Sequence, residues 1–391
     1  MNFRAYRTFR EVDMANDKKI LIVNPGSTST KIGVYAAGKM IVNESVKHAD
    51  EELRMFSTIW DQYDFRRDAI FKVLKDNHLS MGEMDAIACR GGNVKPLPGG
   101  IYKVCPKMIS DMKSGIYGGH PINVGGLVSF DLGNQFNIPV LTADPPMTDE
   151  LCTSARYSGI PQITRQSSFH ALNQKATARK IAAELGRKYD EINLIVSHLG
   201  GGISVGAHRK GKIIDVNNAL DGDGPFSPER AGSLPAGDLV KLCFSGEYSK
   251  NEALKLLTGG GGLFAYLGTT NVIEIEKRIA AGDQKAAEVF EAMIYQVAKE
   301  IGACAAVLEG KVDAIALTGS LVYSQRLLDS LKEKIAFIAP VYLNPGENEM
   351  EALADAAMRY FNNEEELSIY RGGQDSMDGI VPPAGAGCTA A

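Results

Sequence analysis

The sequence predicts an α/β fold built twice over, with two domains of related plan and a phosphate-sized loop in each. Three observations predict it. The first is an internal repeat. Ile20 to Ile41 (ILIVNPGSTSTKIGVYAAGKMI) and Asn193 to Ile214 (NLIVSHLGGGISVGAHRKGKII) align without a gap at a constant offset of 173 residues. Leu21, Ile22 and Val23 match Leu194, Ile195 and Val196, Gly33 matches Gly206, and Gly38-Lys39 matches Gly211-Lys212. The second is the pattern within each copy: an apolar strand, a loop of Gly or small hydroxyl residues, an alternating strand, a Gly turn and a third strand. The third is length, since 391 residues suit two domains of ordinary size. Loops of this kind leave backbone N–H groups to cradle phosphate. Two of them predict domains that face each other across a cleft, one loop for the donor phosphate chain and one for its acceptor.

Composition narrows the function classes. Hydrophobic residues make up 45% and charged residues 23%, as in a soluble globular protein. A net charge of −5 argues against general affinity for nucleic acid or an anionic membrane, although a local basic pocket stays open. No run approaches the roughly 18 apolar residues of a spanning helix. The first segment, MNFRAYRTFREVDMANDKK, is too charged for a signal peptide, and Met14 offers an alternative start. The cysteines at 89, 105, 152, 243, 304 and 388 show no Cys-x-x-Cys spacing, which predicts reduced thiols and a cytoplasmic location.

The remaining elements follow in order. A charged helix is expected over 61–77, then a strand, MDAIACRGG, ending in a Gly-rich loop at Arg90. Residues 106–136 read as mainly helical, broken at YGGHPIN, and IPVLTAD reads as a strand ending on Asp144. Residues 145–165 read as a loop near the domain junction, and 171–186 as a helix leading into the second repeat. The stretch 221–237 is rich in Gly and Pro, and so long a loop is uncommon unless functional. GGGG at 259–262 marks another loop, 283–309 a long buried helix, VDAIALTGSL a strand with a Gly-Ser turn, and 349–362 a last helix. The tail from Arg371 is low in complexity.

Several residues are candidates for chemistry. Asn24 to Lys31 combines Gly26, which permits close approach, with the hydroxyls of Ser27 and Ser29 and the charge of Lys31. The Gly-x-x-x-x-Gly-Lys-Ser/Thr pattern of a P-loop is absent. A polar hairpin turn is the alternative, and the second copy favours phosphate. In that copy, three consecutive glycines after a strand (Gly200, Gly201, Gly202) cost chain entropy and point to a backbone that touches a ligand. His198 just before them reads equally as a structural residue or a phosphoryl contact. Arg90 and Arg230 lie in Gly-rich loops, where a guanidinium can clamp a carboxylate or phosphate in bidentate fashion. His120 and His170 follow the same argument more weakly. Asp144 at a strand end reads as a metal ligand, a base or a loop cap. Glu349 opens a helix, an ordinary place for a carboxylate.

These motifs together resemble the acetokinase family: Asn-x-Gly-Ser-x-Ser-x-Lys at 24–31, His-Leu-Gly-Gly-Gly at 198–202 and the two Arg loops. The resemblance runs from about Lys18 to Tyr370. It implies duplicated actin-like (ribonuclease H-like) domains with mixed sheets and a cleft between them. The expected division is 15–160 plus 350–368 for the first domain and 161–349 for the second, which holds the nucleotide site. Residues 1–14 and 371–391 are expected to be disordered extensions. The resemblance further implies ATP/ADP and Mg²⁺, with Asn24 and Glu349 at the metal and Ser27, Ser29 and Lys31 in the first phosphate loop. Arg90 matches the substrate-binding Arg, Asp144 the essential acidic residue, and His170 and Arg230 the transition-state stabilisers. His198 to Gly202 match the second phosphate loop. Gly319 and Ser320, with Thr269, Thr270 and Asn271, fall at the adenosine contacts, although the latter stretch lacks the Asp and Arg that acetate kinases carry there. A homodimer is what the family suggests, with no nucleic-acid or membrane partner.

One departure bears on the substrate. Acetate kinases usually have branched residues where this chain has Gly91, Gly92 and Gly119. Those glycines, with His120 and Phe169, are expected to line an enlarged acyl pocket. A methylene is worth about 1–3 kcal/mol of discrimination, so butyrate or a branched short-chain acid is expected over acetate. The carboxylate is already ionised at neutral pH and needs no general base. Catalysis is expected to come from positioning and charge neutralisation during direct in-line transfer. The competing expectations are the same chemistry on acetate or propionate, an actin-like nucleotide-binding protein without acyl kinase activity, and a phosphohydrolase on the same fold.

Overall fold

The structure is a computed structural model that describes residues 18–372. The expected extensions fall outside these residues, except for Arg371 and Gly372. Within them the chain forms two compact units, residues 18–148 with 348–372, and residues 149–347.

Unit 1 is built on a seven-stranded mixed sheet of β1 (Ile20–Pro25), β2 (Ser29–Ala36), β3 (Lys39–Lys47), β4 (Ala86–Cys89), β5 (Ile101–Lys103), β6 (Val140–Ala143) and β12 (Leu367–Ser368), in the order β12-β5-β6-β4-β1-β2-β3. Numbering only helices of more than two turns, the unit holds α1 (Tyr63–Asp76), α2 (Pro106–Ser114), α3 (Pro121–Phe136) and α10 (Glu349–Phe361). Leu21, Val23, Ile32, Val34 and Ile87 of the sheet share a core with Ile70, Val73 and Leu74 of α1 and Val124, Val128 and Leu132 of α3. α10 packs on β1, β4 and β6. The break expected near YGGHPIN is real: Pro121 opens α3, and the His120 ring caps it by accepting from Ile122 N at 3.2 Å.

Unit 2 has a five-stranded sheet in the order β11-β10-β7-β8-β9: β7 (Asn193–Leu199), β8 (Ile203–Arg209), β9 (Lys212–Val216), β10 (Ala314–Gly319) and β11 (Val341–Pro345). Its helices are α4 (Ala171–Glu184), α5 (Ala236–Cys243), α6 (Lys250–Thr258), α7 (Val272–Ala280), α8 (Gln284–Val307) and α9 (Gln325–Ile335). Alternate residues of β7 serve opposite faces, as a strand requires. Ile195 packs with Phe290, Met293 and Ile301 of α8, and Leu194 and Val196 with Ala178, Ile181 and Ala182 of α4.

The repeat survives in fine detail. β1 pairs antiparallel with β2 and parallel with β4, as β7 does with β8 and β10. Both β2–β3 and β8–β9 turn through two left-handed residues, Ala37-Gly38 and Lys210-Gly211, a type I′ hairpin turn. Both ladders slip at the same repeat position, between Val34 and Tyr35 and between Ala207 and His208.

The boundary between units falls after Thr148 rather than at 160. Residues from Asp149 onward are tied to unit 2, because Cys152 N donates to the Ile214 carbonyl at 2.9 Å and buried Glu150 pairs with Lys175 at 2.8 Å. Cys89, Cys105, Cys243 and Cys304 carry free thiols.

Candidate active site

The first loop spans Gly26 to Ser29, between Pro25 and its pairing partner Thr30. Gly26 N donates to the Ser29 carbonyl at 2.8 Å and closes the turn. Ser29 is half-buried and Ser27 exposed. Lys31 pairs in register with Asn24. Behind the loop lies a residue that the sequence reading missed. Arg66 of α1 is 1% exposed. It donates from Nη2 to the Gly26 carbonyl at 3.0 Å, and from Nη1 to the Ser29 carbonyl at 3.3 Å and Thr30 Oγ1 at 3.0 Å. Its Nε donates to Gln62 Oε1 at 2.9 Å. These partners are all neutral oxygens, and burial lowers the guanidinium pKa to about 10. The signal was present in the sequence: Arg66 falls on the stripe of Ile70, Val73 and Leu74, where a charge is out of place.

Asn24, Arg90 and Glu349 come together. Asn24 Nδ2 donates to Glu349 Oε2 at 2.7 Å, and Arg90 Nη2 meets Glu349 Oε1 at 3.0 Å. β1 and β4 end side by side, with Arg90 N donating to the Val23 carbonyl at 3.1 Å, and α10 brings Glu349 at its first turn. Arg90 is 8% exposed, and its Nη1 is buried without a hydrogen-bond partner. Asn24 and Glu349 offer hard oxygen donors. No cluster of three or more His, Cys, Asp or Glu that could hold a metal occurs among the described residues. This donor set fits Mg²⁺, which is usually held by one or two protein oxygens plus phosphates and water.

Asp144 is fully buried, with a left-handed φ of 39° that is uncommon for a residue other than Gly. Its Oδ1 accepts from Gly100 N at 2.8 Å. His120 lies exposed at the start of α3. The protein around its ring, then the charges of Arg66 and Arg90, hold its pKa below that of a free imidazole.

The three glycines expected to line the acyl pocket differ in the space around them. A Cβ at Gly91 (φ 74°) would stand 2.7 Å from Thr142 Oγ1, and one at Gly92 would stand 2.8 Å from Met112 Sδ. Thr142 and Met112 lie close against these two glycines. Gly119 alone of the three keeps open space, its nearest atom being Ile59 Cδ1 at 3.9 Å. Phe169 belongs to a hydrophobic cluster with Leu151, Ala155, Ala171, Ile213 and Val216, where it serves packing.

In unit 2 the second loop is three glycines between Leu199 and its partner Ile203. His198 at the end of β7 stacks on His170 at the start of α4, with ring centroids 3.7 Å apart and planes 13° apart. His198 Nδ1 lies 2.8 Å from Asn173 Oδ1, and His170 Nδ1 lies 2.9 Å from Ser204 Oγ. Arg230 lies over Gly202, where a Cβ would come within 2.1 Å of Nη1. Ser227 fastens this arrangement: its Oγ donates to the Gly201 carbonyl at 2.6 Å and accepts from Arg230 N at 3.2 Å. Arg230 Nε is buried without a partner, and burial lowers the pKa of the group. Gly319, with φ 95°, packs on the Leu199 backbone, and Ser320 beside it is exposed. Thr269 to Asn271 form a helix cap: Asn271 Oδ1 accepts from Ile273 N at 3.1 Å and Glu274 N at 3.3 Å. Sequence reasoning missed Asn173, Gln174, Ser204 and Ser227, whose residue types carry no signal of their own.

Comparison with known proteins places the chain in a family. The profile of the acetokinase family matches residues 157–337. Butyrate kinase 2 of Clostridium acetobutylicum is 50% identical over 353 residues, which cover 90% of this chain and 99% of that protein. The chain belongs to the acetokinase family. Among solved structures, acetate kinase of Porphyromonas gingivalis superposes with a TM-score of 0.71 at 19% identity, covering 87% of this chain and 99% of that one. A propionate kinase of Francisella tularensis superposes with a TM-score of 0.68 at 19% identity, covering 87% and 98%. The acetokinase fold is thus the duplicated actin-like plan, with a mixed sheet in each unit.

Proposed function

We infer that the chain is a butyrate kinase, interconverting butyrate + ATP and butyryl phosphate + ADP. The 50% identity to a butyrate kinase over nearly the whole chain supports the substrate. One structural observation supports the chemistry. Each unit ends its loop region with an Arg that keeps a buried guanidinium N–H without a partner, Arg90 Nη1 in one and Arg230 Nε in the other. Leaving a buried donor unpaired costs about 1–3 kcal/mol, so such groups point to an anion they are built to receive.

Arg90, held in place by its ion pair with Glu349, binds the butyrate carboxylate. The first loop and Lys31, with the three-glycine loop, take the phosphate oxygens. Arg230 and the His170–His198 pair meet the group in flight, where a loose transition state spreads charge over three equatorial oxygens. Asn24 and Glu349 would hold Mg²⁺, which supplies positive charge to the nucleotide phosphates when bound. Asp144, with one oxygen committed to Gly100, orients its surroundings and removes no proton. Gly319 and Ser320 serve the nucleotide. Gly119, beside His120, gives the room for a longer acyl chain. The protein works in the cytoplasm, where ATP is supplied; no helix among the described residues is long and apolar enough to cross a membrane. It works as a homodimer, for which α5 and α6 offer a face: neither buries a residue, and Val240, Phe244 and Leu254 are 55%, 85% and 48% exposed.

The test is trapping of the product. ATP, Mg²⁺, butyrate and hydroxylamine should give butyryl hydroxamate, with kcat/KM for butyrate above that for propionate and acetate. Phosphate release that ignores the acid, or a preference for acetate, would overturn the reading.

A further inference from the structure

A neutral imidazole gives a hydrogen bond from one nitrogen and takes one at the other, and the partner of either fixes which is which. In unit 2 two adjacent amides on α4 set this for three histidines. Asn173 Nδ2 donates to the Glu347 carbonyl and, at 3.2 Å, to Thr318 Oγ1. A carbonyl only accepts, so the amide cannot be turned round, and it is Oδ1 that faces His198 Nδ1 at 2.8 Å. His198 therefore carries its hydrogen on Nδ1 and, when neutral, a lone pair on Nε2. That Nε2 is the edge turned to the glycine loop: a Cβ at Gly200 would stand 2.9 Å from it.

Gln174 works the other way. Its Nε2 donates to the Ser204 carbonyl at 3.1 Å and to Ser204 Oγ at 2.8 Å. Oε1 then faces His208 Nε2 at 3.0 Å, so His208 carries its hydrogen there and accepts from Tyr189 Oη at 2.7 Å through Nδ1. Ser204 is fully buried, and a buried hydroxyl hydrogen needs an acceptor. His170 Nδ1, at 2.9 Å, provides it. His170 is left with N–H at Nε2.

We propose that Asn173 and Gln174 are positioning residues that hold the stacked rings of His170 and His198 in opposite tautomers, so that neutral His170 is the one of the two that donates to an anionic phosphoryl oxygen. Neutral His198 presents an acceptor at Nε2, suited to an N–H or O–H and unsuited to a bare phosphoryl oxygen. The catalytic consequence rests on the phosphoryl-transfer reading; the tautomers themselves do not.

The experiment is two-bond ¹H–¹⁵N correlation on full-length protein labelled with ¹⁵N-histidine. The chain has six histidines, and His170→Gln and His198→Gln spectra assign the two signals. Wild type should show the Nδ1–H pattern for His198 and the Nε2–H pattern for His170. Asn173→Leu, its circular dichroism unchanged, should convert His198 to the Nε2–H pattern and lower kcat roughly tenfold or more with little change in KM for ATP. Should the Leu variant fail to fold, Asn173→Asp keeps the acceptor oxygen and must retain Nδ1–H on His198. An Nε2–H pattern for His198 in wild type or in the Asp variant, or a folded Leu variant with an unaltered spectrum, would overturn the proposal. Missing hydroxamate with the expected spectra would instead sink the kinase reading and leave the tautomers standing.

Discussion

The loop after β1 and the loop after β7 occupy one position in the repeat, yet they are built by opposite means. The first has four residues and carries hydroxyls, with Lys31 beside it and the buried cation of Arg66 behind it. A Cβ at Gly26 would meet nothing closer than 3.7 Å. The second has three residues, all glycine, and the groups around it press on the bare backbone: Arg230 would be 2.1 Å from a Cβ at Gly202, and His198 Nε2 would be 2.9 Å from one at Gly200. Glycine is permissive in the first loop and obligatory in the second. A duplicated frame thus fixes where each loop sits and leaves each copy to choose the groups around it.

The comparison can be broken most severely at Arg230. Arg230→Ala should lower kcat by about 10²–10³-fold, with a much smaller change in KM for butyrate, because its proposed role is to meet charge that develops in flight. Equal and small changes in both would remove Arg230 from the transition state. Next comes a matched pair. Gly202→Ala forces the guanidinium aside and should reduce kcat by roughly 10–100-fold, whereas Gly26→Ala should stay within about threefold of wild type. Similar losses for the two would show that the loops do not differ as described.

Arg66→Met sharpens the contrast from the other side. It strips the Gly26 and Ser29 carbonyls and Thr30 Oγ1 of their donor while keeping most of the volume. KM for ATP should rise severalfold, with a loss of about 1–3 kcal/mol in urea unfolding, and Arg66→Lys should recover only part of either. An unchanged KM would reduce Arg66 to a packing residue.

The smallest effect concerns the long loop that carries Arg230. At its start Arg165 pairs with Asp215 at 3.0 Å and Asp223 at 3.5 Å. Burial, then the charges of Asp223 and Asp215, raises the carboxyl of Glu300 on α8 to about 7. A carboxyl with a raised pKa binds its proton more tightly in the folded state. Its contribution to stability therefore falls as pH rises from the unfolded value of about 4.3 through the folded value, and levels off above it. Glu300→Gln should raise Tm by a few degrees at about pH 8, by clearly less at about pH 5, and by nothing below the unfolded value of about 4.3. The same shift at both pH values would contradict the titration.

Much of this was legible in the sequence, for definite reasons. The repeat placed both hairpins, because strand alternation and a Gly turn are local signals, and the matching left-handed turns and ladder slips follow from them. Asn24, Arg90 and Glu349, which the motif resemblance singled out separately, meet in the structure. Arg66 was passed over because a charged residue on a helix is usually solvated, and only burial reveals its partners. Asn173 and Gln174 act through which amide atom faces which neighbour, and composition does not encode that. At Gly91 and Gly92 a Cβ would press on Thr142 and Met112, a close approach that the sequence does not encode because it depends on how the interior packs. Short strands such as β5 and β12 are too brief to announce themselves in a periodicity.

The I′ turn at Ala37 has a practical side. Alanine there holds φ 49°, a left-handed setting that an L-residue tolerates at a cost of roughly 1–2 kcal/mol, and its side chain is exposed. Asparagine is the residue such corners accept most readily after glycine. The distal tip of the hairpin is accordingly a reserve of thermal endurance that an engineer can draw on while leaving turnover untouched.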